Sequence, residues 1–174
     1  MKKIVYVTGC LGFIGVHIVQ KCLDQGWFVH GVDKKTYAAN LGMLEVFSRE
    51  PNFQFWEKDI KDLNTLWPCD IIINTAAETH VDNSIASSKE FIDSNVYGVH
   101  NLLNLITKSK WKPLLLQFST DEVYGDIVEG SHTETDALKP SNPYSATKAA
   151  ADMLISAWSR TYGIEATIVR PTNN

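Results

Sequence analysis

The segment Thr8-Gly9-Cys10-Leu11-Gly12-Phe13-Ile14-Gly15 constrains this chain more than any other. It follows an apolar run, Lys3 to Thr8, and opens onto a stretch of helical period that continues to about Gln25. Three glycines at this spacing let the backbone turn tightly between strand and helix and come close to an anion. The first helical turn then offers unpaired N–H groups and the positive end of its dipole. Gly9, Gly12, Phe13, Ile14 and Gly15 are thus predicted to cradle a pyrophosphate. Asp33 ends the next apolar run, Trp27 to Asp33, about 20 residues beyond the turn, where a carboxylate accepts bonds from the ribose hydroxyls of a dinucleotide. The same carboxylate repels a 2′-phosphate, which favours NAD over NADP; Lys34 and Lys35 directly after it partly offset that preference.

The rest of the chain repeats this alternation. Phe53 to Glu57, Cys69 to Thr75, Leu114 to Ser119 and Ile164 to Val169 read as further strands, Cys69 to Thr75 being nearly all apolar as in a strand covered on both faces. Leu41 to Arg49, Glu90 to Lys108 and Pro143 to Tyr162 carry helical spacing, with Asn142 as N-cap and Pro143 at the first helical position of the last. Strand and helix in turn predict a doubly wound, Rossmann-like parallel α/β sheet, one domain over residues 1–174. The one long irregular stretch, Tyr124 to Pro143, has the length of a functional lid or binding loop.

Composition narrows the partners. A net charge of −4 without a Lys/Arg cluster argues against nucleic acid and anionic membrane surfaces. No apolar run approaches the roughly 20 residues of a membrane helix, and Met1-Lys2-Lys3 leads straight into a strand pattern. Cys10, Cys22 and Cys69 are widely spaced and odd in number, so neither a metal site nor a disulfide framework is expected. These features predict a soluble, cytoplasmic protein.

Tyr144 and Lys148 lie four residues apart in the last helix, which stacks them on one face. An ammonium beside a phenol favours the phenolate, the base that hydroxyl oxidation needs. Asp121-Glu122 follows the fifth strand, at the end of the sheet where such folds bind ligands. Adjacent carboxyls can divide the two proton transfers of a water elimination between them.

Together the glycine pattern and the Tyr-x-x-x-Lys helix resemble the extended short-chain dehydrogenase/reductase superfamily along the whole chain. Three segments resemble its dTDP-glucose and UDP-glucose 4,6-dehydratases: Asp33 to Leu41 (DKKTYAANL), Ala76 to Ser84 (AAETHVDNS) and Ser119 to Gly125 (STDEVYG). The resemblance implies that Tyr144 takes the proton of the sugar 4-hydroxyl, Glu122 the C5 proton, and that Asp121 protonates the departing C6 hydroxyl. It implies that Thr120 bonds the 4-oxygen and Lys148 holds the nicotinamide ribose, with NAD recycled in each turnover. It also implies cofactor contacts at Lys34, Thr36, Asp59, Ile60, Ala76 and Ala77, and nucleotide-sugar contacts at Thr79, His80 and Asn173. For Asp59 a helix N-cap role stays open, and for His80 that of a hydrogen-bonded loop histidine.

Cys10 and Val16 depart from the family's usual residues around the pyrophosphate turn. The family continues well beyond the segment matching Asn173, so the nucleotide-recognising C-terminal domain is expected outside this chain, which by itself would bind cofactor with little turnover. The helices at Glu90–Lys108 and Pro143–Tyr162 resemble those that pair family members as homodimers. Two rivals remain: a 4-epimerase or decarboxylase using the same Tyr144 and Lys148, and a non-catalytic NAD-binding module.

Overall fold

The computed structural model describes residues 2–172, so the Asn173 expectation lies outside the described residues. Six parallel strands form one sheet: β1 (Ile4–Thr8), β2 (Phe28–Asp33), β3 (Phe53–Glu57), β4 (Ile71–Asn74), β5 (Leu114–Phe118) and β6 (Ala166–Val169). Their spatial order is β3-β2-β1-β4-β5-β6, the doubly wound arrangement anticipated from the alternation of elements. The order reverses between β1 and β4, which opens a crevice at their C-terminal ends.

The helices are α1 (Phe13–Asp24), α2 (Leu41–Phe47), α3 (Val81–Ala86), α4 (Lys89–Phe91), α5 (Gly98–Lys108) and α6 (Pro143–Tyr162). Side chains alternate across the sheet. Val5 and Val7 of β1 face α1 and Phe47 of α2, whereas Tyr6 between them joins Ile72, Leu115 and the inner faces of α5 and α6. Cys10 and Val16 are both buried within the first of these layers, so the two departures from the family pattern fill core rather than face the phosphate turn. The three cysteines are buried and separate, and desolvation pushes Cys69 up to about 12. No helix among the described residues is long and apolar enough to cross a membrane.

Two stretches differ from expectation. The helix expected over Glu90–Lys108 is interrupted by a π-helical turn, Ile92–Tyr97, between α4 and α5. That turn carries Asn95, 1% exposed, whose amide is used across to two other segments. The segment after β4, to which no element was assigned from the sequence, holds α3, and the β3–β4 crossover has only a 3-10 turn at Ile60–Asp62.

Polar residues at the strand ends are joined into a buried ladder. Thr8 Oγ1 donates to Asn74 Oδ1, Asn74 Nδ2 to Gln117 Oε1 (2.7 Å), and Gln117 Nε2 to the Phe118 carbonyl (3.1 Å). It runs across β1, β4 and β5 beneath the crevice. Replacing Asn74 by leucine keeps the volume but strands the Thr8 hydroxyl and the Gln117 carbonyl, so Asn74→Leu should cost about 2 kcal/mol or more. Urea denaturation measures this; a loss below about 0.5 kcal/mol would show that the ladder contributes little.

Candidate active site

The site begins at the turn after β1. Gly9 has a φ of +67°, and a Cβ there would fall 2.6 Å from Ala76 N; one on Gly15 would fall 2.0 Å from Gly9 O. Both glycines are demanded by the protein itself, which packs β4 and α1 against the turn. Gly12 is different. A Cβ on it would meet only Gly9 O, at 3.3 Å, so the space it leaves is open to a ligand. Gly12 is also the N-cap of α1 and supplies no side-chain bond to the helix start. The N–H groups of the first turn, including those of Phe13 and Ile14, have no intrahelical partner. The side chains of Phe13 and Ile14 are exposed.

Beside this turn lies an open cleft at the C-terminal ends of β1, β2 and β4. Gly9, Gly12, Asp33, Lys34, Thr36, Asp59, Ile60, Ala76 and Ala77, all anticipated from the sequence, line it. Gly15 is not among the lining residues; it is spent on the contact with Gly9. The Asp33 carboxylate is fixed by the N–H groups of Leu11 (3.0 Å) and Lys35 (2.7 Å). Asp59 takes the capping role left open for it, its carboxylate accepting from Lys61 N (3.1 Å), and it also lines the cleft.

The two lysines beside Asp33 are already engaged. Lys34 Nζ sits 3.1 Å from Glu78, 3.7 Å from Asp59 and donates to Ser94 Oγ (3.0 Å), while Lys35 pairs with Glu57 at 2.6 Å. Burial works against the Lys34 charge, but Glu78 and Asp59 more than offset it and raise its pKa. Glu78 and Ser94 were missed in the sequence. Glu78 is held by Asn95, which accepts from its N–H (2.9 Å), donates to its carbonyl (3.0 Å) and donates to Thr147 Oγ1 on α6 (3.0 Å). A buried amide inside a helix, in the middle of an apolar pattern, was the signal that could have found it.

The second half of the site gathers at β5 and α6. Thr120 caps the 3-10 turn Asp121–Tyr124, its Oγ1 accepting from Glu122 N and donating to Asp121 Oδ1, each at 3.3 Å. Asn142, the N-cap of α6, completes a capping box with Ser145 and donates to Glu122 Oε2 at 3.2 Å. The next N–H, that of Tyr144, donates to Ser84 Oγ of α3 (3.2 Å), an anchor not foreseen in the sequence. Tyr144 is therefore aimed at the Thr120–Glu122 turn from a rigid helix start, with Lys148 one turn further along α6. Asp121 and Glu122 also line a second, larger cleft beneath the loop that follows Tyr124. Thr79 and His80 line neither cleft: both are exposed, with the His80 ring against Tyr37 (5.9 Å) and its carbonyl accepting from Ser84 N (3.1 Å).

The electrostatics depart from the expected lowering of the Tyr144 pKa. Burial pushes it up, the Glu122 and Asp121 charges add to that, and the bond with Thr120 opposes them. Lys148 exerts no such pull here because its ammonium is turned to the Phe118 carbonyl at 2.6 Å, the last member of the polar ladder. Burial in turn lowers Lys148 to about 8.

A doubly wound sheet, a glycine turn at its switch point and a Tyr-x-x-x-Lys helix facing it define an extended short-chain dehydrogenase/reductase. More narrowly, the chain belongs to the GDP-mannose 4,6 dehydratase family, whose model matches residues 6–174. It is 42% identical to the low-salt glycan biosynthesis protein Agl12 of Haloferax volcanii, over 98% of this chain and 56% of that protein. Identity to the dTDP-glucose 4,6-dehydratase of Haemophilus influenzae is 38%, over 98% and 55%. DesIV, the dTDP-glucose 4,6-dehydratase of Streptomyces venezuelae solved with NAD bound, superposes with a TM-score of 0.90 at 38% identity, over 96% of this chain and 55% of that one. The chain thus spans about half the length of the curated relatives it matches.

Below about pH 8 the folded chain holds a buried ammonium at Lys148, a cost relieved as the proton leaves. Lys148→Met removes that cost. Its stability relative to the parent chain should be highest below about pH 8 and should fall back as pH rises from about 8 to about 10.5. Urea midpoints across that range test this; a difference that does not change with pH would contradict the buried charge.

Proposed function

We propose that this chain supplies the NAD-binding and proton-transferring part of a nucleotide-sugar 4,6-dehydratase, which converts a dTDP- or UDP-glucose type substrate to its 4-keto-6-deoxy product with loss of water. The observation that carries the reading is the Thr120-Asp121-Glu122 turn at the start of α6, where Asn142, two residues before Tyr144, bonds Glu122 at 3.2 Å. An alcohol oxidation alone needs Tyr144 and Lys148; a pair of carboxyls at the same place supplies the acid and base of an elimination.

The cleft fits NAD better than NADP. Asp33 is held at the ribose position by two N–H groups, and the neighbouring lysines are neutralised by Glu78, Asp59 and Glu57. A 2′-phosphate would meet carboxylates with no free ammonium among these groups to receive it. The open face of Gly12 and the first turn of α1 suit the pyrophosphate. Ala76 and Ala77 leave room over β4. When bound, NAD accepts a hydride from the sugar and returns it within the turnover.

Every other step belongs to side chains. Thr120 hydrogen-bonds the sugar 4-oxygen and Tyr144 takes its proton, aided by Lys148 once that ammonium turns from Phe118 toward the ribose. Oxidation at C4 acidifies the C5 hydrogen, which Glu122 removes. Asp121 gives a proton to the C6 hydroxyl and water leaves; a proton then returns to C5 as C6 is reduced. Thr79 and His80, exposed just ahead of α3, are assigned to the substrate side.

A protein carrying this chain, incubated with dTDP- or UDP-glucose in deuterated water, should release one water and take deuterium at C5. Glu122→Gln should slow water loss by at least about 100-fold while leaving reduction of the cofactor by substrate detectable. Inversion at C4 with the C5 hydrogen retained would point to an epimerase instead.

A further inference from the structure

The α6 face that carries Tyr144 and Lys148 continues one turn further to Asp152, giving three polar groups in a stripe at four-residue spacing. All three are buried: Tyr144 is 7% exposed, Lys148 3% and Asp152 1%. A carboxylate this far from water normally has both oxygens satisfied. Here only one is. Asp152 Oδ2 accepts from Ser119 Oγ (3.0 Å) and from Arg170 Nε (2.8 Å), and Arg170 is itself held by Tyr124 OH (2.6 Å). Asp152 Oδ1 has no partner, the one buried side-chain polar atom among the described residues in that state.

We propose that Asp152 is a positioning residue for Lys148: Oδ2 locks the carboxylate through Ser119 and Arg170, and the charge it carries keeps the buried ammonium protonated where it bonds the Phe118 carbonyl. The inference rests on the proposed role of Lys148 in holding the cofactor ribose and favouring the phenolate. A lysine in a dry site loses its proton readily unless a fixed anion opposes the loss.

The surroundings leave that task to Asp152. On α6 itself the titratable neighbours are Tyr144 and Asp152. Beyond β5 stand Asp121 and Glu122, whose charges act on Tyr144, and beyond β6 stands the Arg170 cation. The π-helical turn, α3 and α4 also pack on α6, and Asn95, Ser84 and Phe91, which meet it there, do not titrate; α5 brings His100 against Trp158, toward the C-terminal end of α6 beyond Asp152. Of the charged groups, Asp152 is the one that raises the Lys148 pKa against burial; burial raises the Asp152 pKa as well, and the bonds from Arg170 and Ser119 and the charges of Arg170 and Lys148 oppose that rise.

A purely structural reading is available: Asp152 ties β6 to α6 through Arg170 and does nothing else. Asp152→Asn separates the two. The asparagine oxygen can take the place of Oδ2 and keep both bonds, with the amide at the unpartnered position, so the tie survives and only the charge is lost. Lysine side-chain signals of the full 174-residue chain, assigned by their loss in Lys148→Met, would be followed by NMR from about pH 6 to about pH 10. The Lys148 midpoint should fall by about one unit or more in Asp152→Asn, with the melting transition still cooperative. An unchanged midpoint in the folded variant overturns the proposal.

Should Asp152→Asn fail to fold, the parent chain still decides. The Asp152 carboxyl carbon should shift with the same midpoint as Lys148, and silence of that carbon through the Lys148 transition overturns the proposal. NAD affinity, measured in parallel by calorimetry, tests the reading beneath it. If Lys148→Met binds NAD as tightly as the parent, Lys148 does not hold the cofactor and the proposed function fails at that residue, whatever the midpoints show.

Discussion

The hydrogen-bonded ladder from Thr8 through Asn74 and Gln117 to the Phe118 carbonyl is the constraint on which the site depends. It crosses the sheet at its switch point, where β1 ends in the glycine turn and β5 ends in the Thr120–Glu122 turn. Each member satisfies the next in a place without water, so a slip of β4 against either neighbour would orphan several groups at once. Lys148 docks on the far end, donating to the same carbonyl as Gln117. The distance between the phosphate turn and the Tyr144–Lys148 helix is thereby set by core hydrogen bonds rather than by loops.

A second set of contacts ties the helices to that frame. Asn95, in the π-helical turn, holds the backbone of Glu78 on one side and Thr147 on the other. Ser84 receives the N–H of Tyr144, and Asn142 both caps α6 and bonds Glu122. The widened turn is what lets an amide leave the helix sideways and reach both segments. Charge follows the same economy: Lys34 is shared among Glu78, Asp59 and Ser94 and stays beside Asp33 without opposing it. Tyr144 is left with a raised pKa and Lys148 with a lowered one.

Much of this was legible in the residues. Apolar runs such as Ile71-Ile72-Ile73 and the helical spacing of Pro143–Tyr162 gave the order of elements, and Gly9, Gly12 and Asp33 gave the position of the cleft. The Asn142 cap and Pro143 were readable because capping is local chemistry. What was not readable depends on contacts distant in sequence. Nothing near Asn95 says that Glu78 and Thr147 await it, and the π-helical turn exists to make that contact. The direction of the Tyr144 shift was misjudged because spacing on a helix places Lys148 near the phenol but does not say that Phe118 holds the ammonium. His80 and Thr79 matched the family in type, yet their exposure is set by α3, a helix too short to show a period.

The central claim is that NAD lies across the switch point, from Asp33 to Lys148. Mapping amide and side-chain shifts of this chain on addition of NAD tests it most directly. Perturbations at Gly12, Asp33, Ala76 and Lys148, with those around Cys69 and the N-terminal strand ends unmoved, are the predicted result. Saturable binding that moves another surface, or no binding when the chain is folded, would contradict the account.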